Sequence, residues 1–404
     1  MNWRMKSARN WGRLGMKFEM KTKALRFLSD IQTGPFGSQL HKEDYVDDGT
    51  PIVTVEHLGN RVFTEQNLPR VSNEDKQRLS KYILKEGDIV FSRVGSVDRC
   101  SFVDSQHTDW LFSGRCLRVR PFEEISPLFL YYFFCLESTK KFMRNIAVGA
   151  TMPSINTKLM GEIEVSYPDK QVQEKIANLL GAIDDKIELN NAINDNLEQQ
   201  ARALYQRMFI DNPVSGGYMG TLSDIADITM GQSPNGSSYN EDGNGAVFFQ
   251  GRAEFGFRFP SVRLYTTEPK RMACANDTLM SVRAPVGDLN VAYTDCCIGR
   301  GLAAIHSKSN QQSFVLYTMF SLHKQLDVFN GEGTVFGSIN RTTLTELPIF
   351  IPSDREIVKF EAIVAPIDAA IRNNYEEICR LEKIRDALLP KLMSGELDVS
   401  AVEL

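Results

Sequence analysis

The sequence lacks the patterns that mark most membrane proteins and many enzymes. It has no run of eighteen apolar residues and no signal-peptide pattern at its start. It also contains no GxxxxGK[ST] phosphate loop, no GxSxG nucleophile elbow and no Asn-Pro-Pro-aromatic motif of the kind that amino-methyltransferases use. These absences argue against a membrane partner and against an active site of the chain's own, and they predict a cytoplasmic protein.

The metal-ligating residues are few and scattered. The seven cysteines are odd in number and show no CxxC spacing, and the five histidines show no metal-ligand spacing. The sequence therefore predicts no disulfide framework and no metal site, and the cysteine usage fits a reducing compartment.

The whole chain carries no excess of positive charge, since its formal net charge is −5. Residues 1–168 carry 24 Lys and Arg against 20 Asp and Glu, whereas residues 169–212 carry 5 against 8 and residues 353–404 carry 7 against 11. A chain with this balance makes few phosphate contacts of its own. We expect modest affinity for DNA alone, with a partner supplying more of the electrostatic attraction.

A heptad pattern runs from about residue 171 to residue 208. Its a positions are Ile176, Ile183, Asn190, Leu197 and Leu204, and its d positions are Leu180, Ile187, Asn194, Ala201 and Met208. An apolar seam of period 3.5 requires a partner helix. A shift of 184 residues gives a second seam, with a positions at Phe360, Ile367, Asn374, Leu381 and Leu388. Asn190 and Asn374 share one heptad position, and we expect them to fix register and orientation at some cost in stability.

The repeat extends beyond the helices. The offset is 184 from Gly149 to Leu204, drifts to 189 at Asp88 and Asp277, and reaches 196 further upstream; residues 114–117 match residues 299–302. Predicted strands lie at 52–55, 88–91, 117–119 and 162–167, and predicted helices at 127–142 and 314–326. The order is an N-terminal tail (1–22), a globular region (23–168), a long helix (169–212), a second globular region (213–352), and a second long helix with a C-terminal tail (353–404).

These patterns predict an α+β chain with a pseudo-two-fold internal repeat. The two long helices should pack antiparallel as a coiled coil, with one α/β region at each end. A helix of about 38 residues spans about 57 Å, which lies between one and two turns of B-DNA at roughly 34–36 Å each. This architecture is suited to recognising two short DNA sequences, here called words, at a fixed distance from each other.

Candidate base-reading residues lie near predicted loops of both globular regions, because arginine can bind guanine and glutamine adenine through two hydrogen bonds. They are Gln39, Lys42, Arg61, Arg93 and Arg115 in the first region, and Gln250, Arg252, Arg283 and Arg300 in the second. The alternative for each is a solvated surface group. Arg115 and Arg300 match across the repeat, so they could instead share a structural task such as pairing with a carboxylate.

Two further motifs have structural interpretations. The Ser-Ile-Asn loops at residues 154–156 and 338–340 are shared by both regions and fit loop capping. Pro168-Asp169 followed by Glu174-Lys175 resembles a nuclease PD…ExK pattern, but its position before a helix favours capping.

Four stretches carry a family resemblance: residues 33–40 (TGPFGSQL), 87–93 (GDIVFSR), 171–184, and 388–397 (LLPKLMSGEL). Together they closely resemble the specificity (S) subunit of type I restriction-modification systems. The resemblance implies two target recognition domains, here 23–168 and 213–352, each reading half of a split sequence in the major groove of double-stranded DNA. It also implies two modification (methyltransferase) subunits and restriction (endonuclease and translocase) subunits as partners. S-adenosylmethionine, ATP and magnesium would then belong to those partners, and this chain would hold no catalytic residue. Two alternatives remain open: a DNA methyltransferase or nuclease with its own active site, and a coiled-coil scaffold.

Overall fold

The computed structural model describes residues 19–35, 37, 39–211, 216–331 and 337–399, without the side chain of Lys42. The chain forms two compact units. Unit 1 contains the residues up to Leu189 and those from Glu377 onward, and unit 2 is Asn190–Glu376. Residue 212, where the first long helix was predicted to end, lies outside the described part, as do most of the N-terminal tail and the last five residues.

Unit 1 begins with ten short strands and four short helices. The strands are β1 (Lys21–Ala24), β2 (Ser29–Thr33), β3 (Tyr45–Val46), β4 (Thr50–Val53), β5 (Arg70–Val71), β6 (Ile89–Ser92), β7 (Cys100–Phe102), β8 (Leu111–Phe112), β9 (Cys116–Pro121) and β10 (Glu164–Tyr167). The helices are α1 (Asn73–Arg78), α2 (Pro127–Cys135), α3 (Glu137–Ile146) and α4 (Thr157–Gly161), followed by the long α5 (Lys170–Tyr205). Six residues of π-helix, Gln206–Asp211, follow α5 directly.

Three sheets organise unit 1. One has the order β2-β9-β6-β7, all antiparallel, and another has the order β3-β5-β4-β8, in which β4 and β8 run parallel. The strands β1 and β10 form a separate antiparallel pair. The main core lies between the first sheet, α2, the beginning of α5 and the end of the long helix α10 (Asp354–Met393), and it includes Phe91, Phe129, Ile176, Leu180 and Leu392.

Unit 2 repeats this arrangement. Its strands are β11 (Tyr218–Thr221), β12 (Ala226–Met230), β13 (Tyr239–Asn240), β14 (Ala246–Phe249), β15 (Leu264–Thr266), β16 (Met272–Ala273), β17 (Thr278–Ser281), β18 (Leu289–Val291), β19 (Cys296–Ile298), β20 (Leu302–Ser307) and β21 (Pro348–Ile351). Its helices are α6 (Leu222–Ile225), α7 (Gln312–Ser321), α8 (His323–Asp327) and α9 (Arg341–Thr345), and the long α10 (Asp354–Met393) follows.

The sheet orders of unit 2 are β12-β20-β17-β18, β13-β15-β14-β19-β16 and β11-β21. They match unit 1 strand for strand, and β16 is an addition. The predicted internal repeat and α+β class are confirmed. Close packing repeats as well: a Cβ on Gly34 would lie 2.1 Å from the Ser113 carbonyl oxygen, and one on Gly231 would lie 2.2 Å from that of Gly299. Only glycine fits either position.

The long helices pack antiparallel within each unit. In unit 1, Asp184 pairs with Arg385 and Lys186 with Glu377, so residue numbers rise along α5 as they fall along α10. In unit 2, the Asn374 side chain donates to the Asn194 side-chain oxygen at 2.8 Å, and Asn194 donates to the Ile371 carbonyl at 3.5 Å. The a positions of α10 therefore meet d positions of α5. Asn190 is also buried, whereas the side chain that Asn374 binds is that of Asn194.

Several predicted element boundaries are wrong. The helix predicted at 127–142 is two helices, and Leu136 between them has an extended backbone (φ −58°, ψ 130°). The two helices also differ in burial, since α2 is buried almost all round whereas α3 buries only Thr139 and Met143. The helix predicted at 314–326 is also two helices, which meet at Leu322, although the Leu322 backbone is in the right-handed helical region (φ −83°, ψ 0°). The strand predicted at 52–55 is displaced to β4, because Thr54 begins a 3₁₀ turn with a capping box. Among the described residues, no helix has the length and apolar character needed to cross a bilayer.

Candidate nucleic-acid interface

Eight of the nine candidate base readers fall into two groups in the structure. Some are bonded to other parts of the fold, and some are exposed at one edge of each unit. The side chain of Lys42, which lies in a 3₁₀ turn, is outside the described part.

Arg61 belongs to the first group, because it binds the long helix α5. Its guanidinium pairs with Asp185, lies 3.3 Å from the Glu188 carboxylate and donates to the Gly181 carbonyl at 3.1 Å, and its side chain is 17% exposed. Burial raises the pKa of Glu188, although the charge of Arg61 opposes this. These contacts attach the globular part of unit 1 to α5 and leave few donors for a DNA base.

The structural equivalent of Arg61 in unit 2 is Arg258, which sequence reasoning missed. The Arg61 carbonyl accepts from the Phe102 amide and the Arg258 carbonyl accepts from the Val291 amide, and Phe102 and Val291 end equivalent strands. Arg258 is 4% exposed and pairs with Glu198 at 3.0 Å and Asp368 at 3.2 Å. Its separation from Arg61 is 197 residues, so a search at the helix offset of 184 could not find it.

A buried tyrosine and aspartate accompany each of these arginines. In unit 1 the Tyr132 hydroxyl donates to Asp184 at 2.6 Å, and in unit 2 the Tyr317 hydroxyl donates to Asp368 at 2.9 Å. Burial raises the pKa of the Asp368 carboxyl above 3.8, despite the nearby charge of Arg258. A cavity of about 360 Å³ adjoins this group between Phe259, Gln312, Glu361 and Arg372. The arrangement fixes each long helix against its own globular part.

In unit 1, Arg93 and Arg115 meet at one loop edge, here called edge 1 (residues 93–94 and 113–115). The Arg93 amide donates to the Arg115 carbonyl at 2.8 Å, and an Arg93 guanidinium nitrogen donates to the Gly114 carbonyl at 3.2 Å. Arg115 is exposed and lines a hollow of about 460 Å³ together with Tyr45, Thr54 and Glu56. The Gln39 side-chain oxygen accepts from the Tyr82 hydroxyl at 2.6 Å.

In unit 2, Gln250, Arg283 and Arg300 lie at the equivalent edge, here called edge 2 (residues 250, 282–283 and 299–301). The Gly301 amide donates to the Gln250 carbonyl at 3.2 Å, and the Val282 amide donates to the Gly301 carbonyl at 2.9 Å. The side chains of Gln250, Arg283 and Arg300 are exposed, and no acidic side chain within the described ranges pairs with either arginine. Arg252 differs, because it forms an ion pair with Asp288.

The match between Arg115 and Arg300 is displaced by one residue. Leu117 pairs with Phe91 across β9 and β6, whereas Ala303 pairs with Met280 across β20 and β17. The backbone offset here is therefore 186, which makes Arg115 equivalent to Gly301 rather than to Arg300. Neither arginine pairs with a carboxylate among the described residues, so the suggested shared structural task is wrong. Each unit presents its own side chains at this edge.

The capping interpretations are confirmed. The Asn156 side-chain oxygen accepts from the Leu159 amide at 2.9 Å, and the Asn340 oxygen accepts from the Thr343 amide at 2.9 Å. The Asp169 carboxylate accepts from the Val172 amide at 3.1 Å at the beginning of α5. These side chains satisfy amides that have no partner in the first turn of a helix.

The fold also assembles a group that the histidine and cysteine spacings did not reveal. Cys274, Asp277 and His306 bring a sulfur, a carboxylate oxygen and a ring nitrogen within 4.8 Å of one another. Cys274 follows β16, Asp277 precedes β17 and His306 lies on the neighbouring strand β20, so only strand pairing reveals the cluster.

A molecule with two homologous units, each attached to half of two long antiparallel helices and each presenting a loop edge with its own side chains, has the organisation of a two-part recognition protein. Residues 19–199 match the family model described as the type I restriction modification DNA specificity domain. A putative type I restriction enzyme MjaX specificity subunit from Methanocaldococcus jannaschii is 29% identical over 87% of this chain and 88% of its own length. The type I restriction enzyme HindI specificity subunit from Haemophilus influenzae is 24% identical over 81% and 90%.

A solved structure agrees with the fold. The type I restriction-modification system S subunit from M. genitalium has a TM-score of 0.59 at 18% identity, covering 94% of this chain and 98% of that chain. The matching family model, both curated relatives and this solved structure all describe specificity subunits of type I restriction-modification systems or their DNA specificity domain. These similarities confirm the predicted resemblance and its assignment as a specificity subunit rather than a catalytic one.

Proposed function

We propose that this chain recognises a two-part DNA sequence, reading one short word with each unit and leaving the DNA between the words unread. The observation that carries the proposal is the repeated loop edge. The backbone of edge 1 and edge 2 is equivalent, yet Arg115 stands where unit 2 has Gly301, and Arg300 where unit 1 has Gly114. Two loop edges with equivalent backbones but different hydrogen-bond donors are suited to recognising two different words.

The chemistry of the edges supports base reading. Arg115, Arg283 and Arg300 are exposed, and no carboxylate in the described part of the chain occupies their donors. A guanidinium that is not committed to an ion pair can donate two hydrogen bonds to the O6 and N7 atoms of guanine. Gln250 can bind adenine in the same way, and each such contact discriminates by about 1–3 kcal/mol.

The catalytic steps would belong to partner subunits. We propose that two modification (methyltransferase) subunits and restriction subunits assemble on this chain, and that they bind S-adenosylmethionine, ATP and magnesium. The net negative charge of the chain supports this assignment, because affinity from phosphate neutralisation would have to come largely from the partners.

Mapping of methylated sites tests the proposal. In the complex with its modification subunits, Gln250→Ala and Arg283→Ala should relax one or two base positions in one word and leave the other word unchanged. Arg263→Ala is the matched control, because Arg263 is an exposed arginine of unit 2 that already pairs with Glu254. Changes in both words, or none with either variant, would exclude edge 2 as a base reader. Methyl transfer or cleavage by the purified chain alone would instead favour an enzyme, and partner binding without sequence preference would favour a scaffold.

A further inference from the structure

The cluster of Cys274, Asp277 and His306 has a counterpart in unit 1 made of different residues. The Asp277 carboxylate accepts from the Cys274 amide at 2.8 Å, and the Asp88 carboxylate accepts from the Lys85 amide at 2.8 Å. On the neighbouring strand, His306 lies 2.6 Å from Asp277 where Arg120 lies 2.6 Å from Asp88. The buried aspartate and its loop are therefore shared, and its two flanking residues are exchanged.

Because of this exchange, the buried carboxylate in unit 2 has no permanently charged cation from these two positions beside it. In unit 1, Asp88 has a side-chain exposure of 1% and its charge is balanced by Arg120. In unit 2, Asp277 has an exposure of 5%, and cysteine and histidine replace Lys85 and Arg120. An ionised carboxylate in such a position requires a compensating cation. Cysteine and histidine carry no fixed charge, but together with a carboxylate they form a ligand set for a divalent transition metal.

We propose that unit 2 binds one zinc ion through the Cys274 thiolate, one Asp277 oxygen and the His306 Nδ1 atom, with water as the fourth ligand. The ion would supply the positive charge that Arg120 supplies in unit 1. Tetrahedral ligands at about 2.0–2.3 Å from zinc lie roughly 3.3–3.8 Å apart. The three ligand atoms are already within 4.8 Å, and two of them share a hydrogen bond that the ion would replace.

The surroundings suit a site that ties loops together. The Asp295 carboxylate accepts from the Ala275 amide at 2.8 Å and so holds the loop that carries Cys274. Asp277 directly precedes β17 and His306 lies on the neighbouring strand β20, and Cys274 is exposed, so the ion can enter from solvent. A bound ion would join the loop between β16 and β17 to β20 and stabilise unit 2.

The test measures metal in the purified full-length chain after exchange against one equivalent of Zn²⁺. We expect about one zinc per chain in the parent protein and a large loss of zinc in Cys274→Ser and His306→Arg. The second variant restores the charge pair found in unit 1, so it should remain folded without metal. His323→Ala is the matched control, because His323 and Asp327 form an exposed pair without a cysteine, and it should retain the zinc.

Two further measurements test the site by the absorption spectrum of a bound metal and by the effect of metal removal on stability. Cobalt substitution of the parent protein should give the charge-transfer absorption of a thiolate ligand, and a chelator should lower the melting temperature of the parent but not of His306→Arg. A parent protein that binds no zinc under these conditions, or equal zinc in the parent and both cluster variants, would overturn the proposal.

Discussion

The Tyr317 hydroxyl donates a 2.9 Å hydrogen bond to the Asp368 carboxylate, which also accepts from the buried Arg258 at 3.2 Å. Tyr132 and Asp184 repeat the tyrosine–aspartate bond in unit 1 at 2.6 Å. Each aspartate lies on a long helix and each tyrosine on the buried helix α2 or α7. Each tyrosine–aspartate hydrogen bond therefore joins a long helix to the globular part of the same unit, which carries the loop edge.

The raised pKa of Asp368 predicts a pH dependence of stability. Because burial lifts the folded-state pKa above 3.8, the folded state binds more protons than the unfolded state between the two pKa values, and this contribution to stability is lost as the pH rises through that window. Asp368→Asn removes the titration and weakens a hydrogen bond, at a cost of about 1–2 kcal/mol at low pH. Thermal unfolding from pH 4 to 7 should show that the variant's deficit relative to the parent shrinks with rising pH. A deficit that grows would contradict the assignment.

The Asn194–Asn374 pair should specify register rather than stabilise the helices. Asn374→Leu alone leaves the buried Asn194 without its 2.8 Å partner and should lower the free energy of unfolding by about 1–3 kcal/mol. The double replacement by leucine should recover most of that loss, because an apolar layer needs no hydrogen bonds. Denaturant unfolding of both single variants and the double variant gives the coupling energy. Additive losses would show that the two asparagines do not act as a pair.

Arg61 and Arg115 should separate stability from sequence reading. Arg61→Ala leaves Glu188 and Asp185 without their cation and should lower stability by about 1–3 kcal/mol, with the recognised sequence unchanged. Arg115→Ala should leave the melting temperature unchanged and relax one base position in one word. Calorimetry measures the stability of the two variants, and methylation mapping identifies the DNA sequence that each recognises. If Arg61→Ala changed the recognised DNA sequence, Arg61 would have to be a base-reading residue.

The sequence was most informative where periodicity carries the signal. The heptads and the constant offset of 184 predicted the long helices, their antiparallel packing and the repeat, because a seam of period 3.5 requires a partner. The equivalence of Arg61 and Arg258 was not accessible in this way, since insertions in the globular parts move the offset to 197. The one-residue error at Arg115 and Arg300 has the same origin, because a Gly-Arg pair suggested a match that strand register does not support.

The breaks at Leu136 and Leu322 were also hidden, because continuous apolar sequence does not show where a buried helix turns. The grouping of Cys274, Asp277 and His306 depends on which strands pair. Linear spacing carries no information about that contact.

Methylation mapping after a matched heptad deletion tests the central claim most directly. Residues 187–193 and 375–381 are removed together, which keeps every remaining a position of α10 opposite its d position of α5. Seven residues of helix correspond to about 10 Å, or about three base pairs. The account predicts that both words persist and the unread spacer shortens by about three base pairs. An unchanged spacer, or altered words, would contradict it.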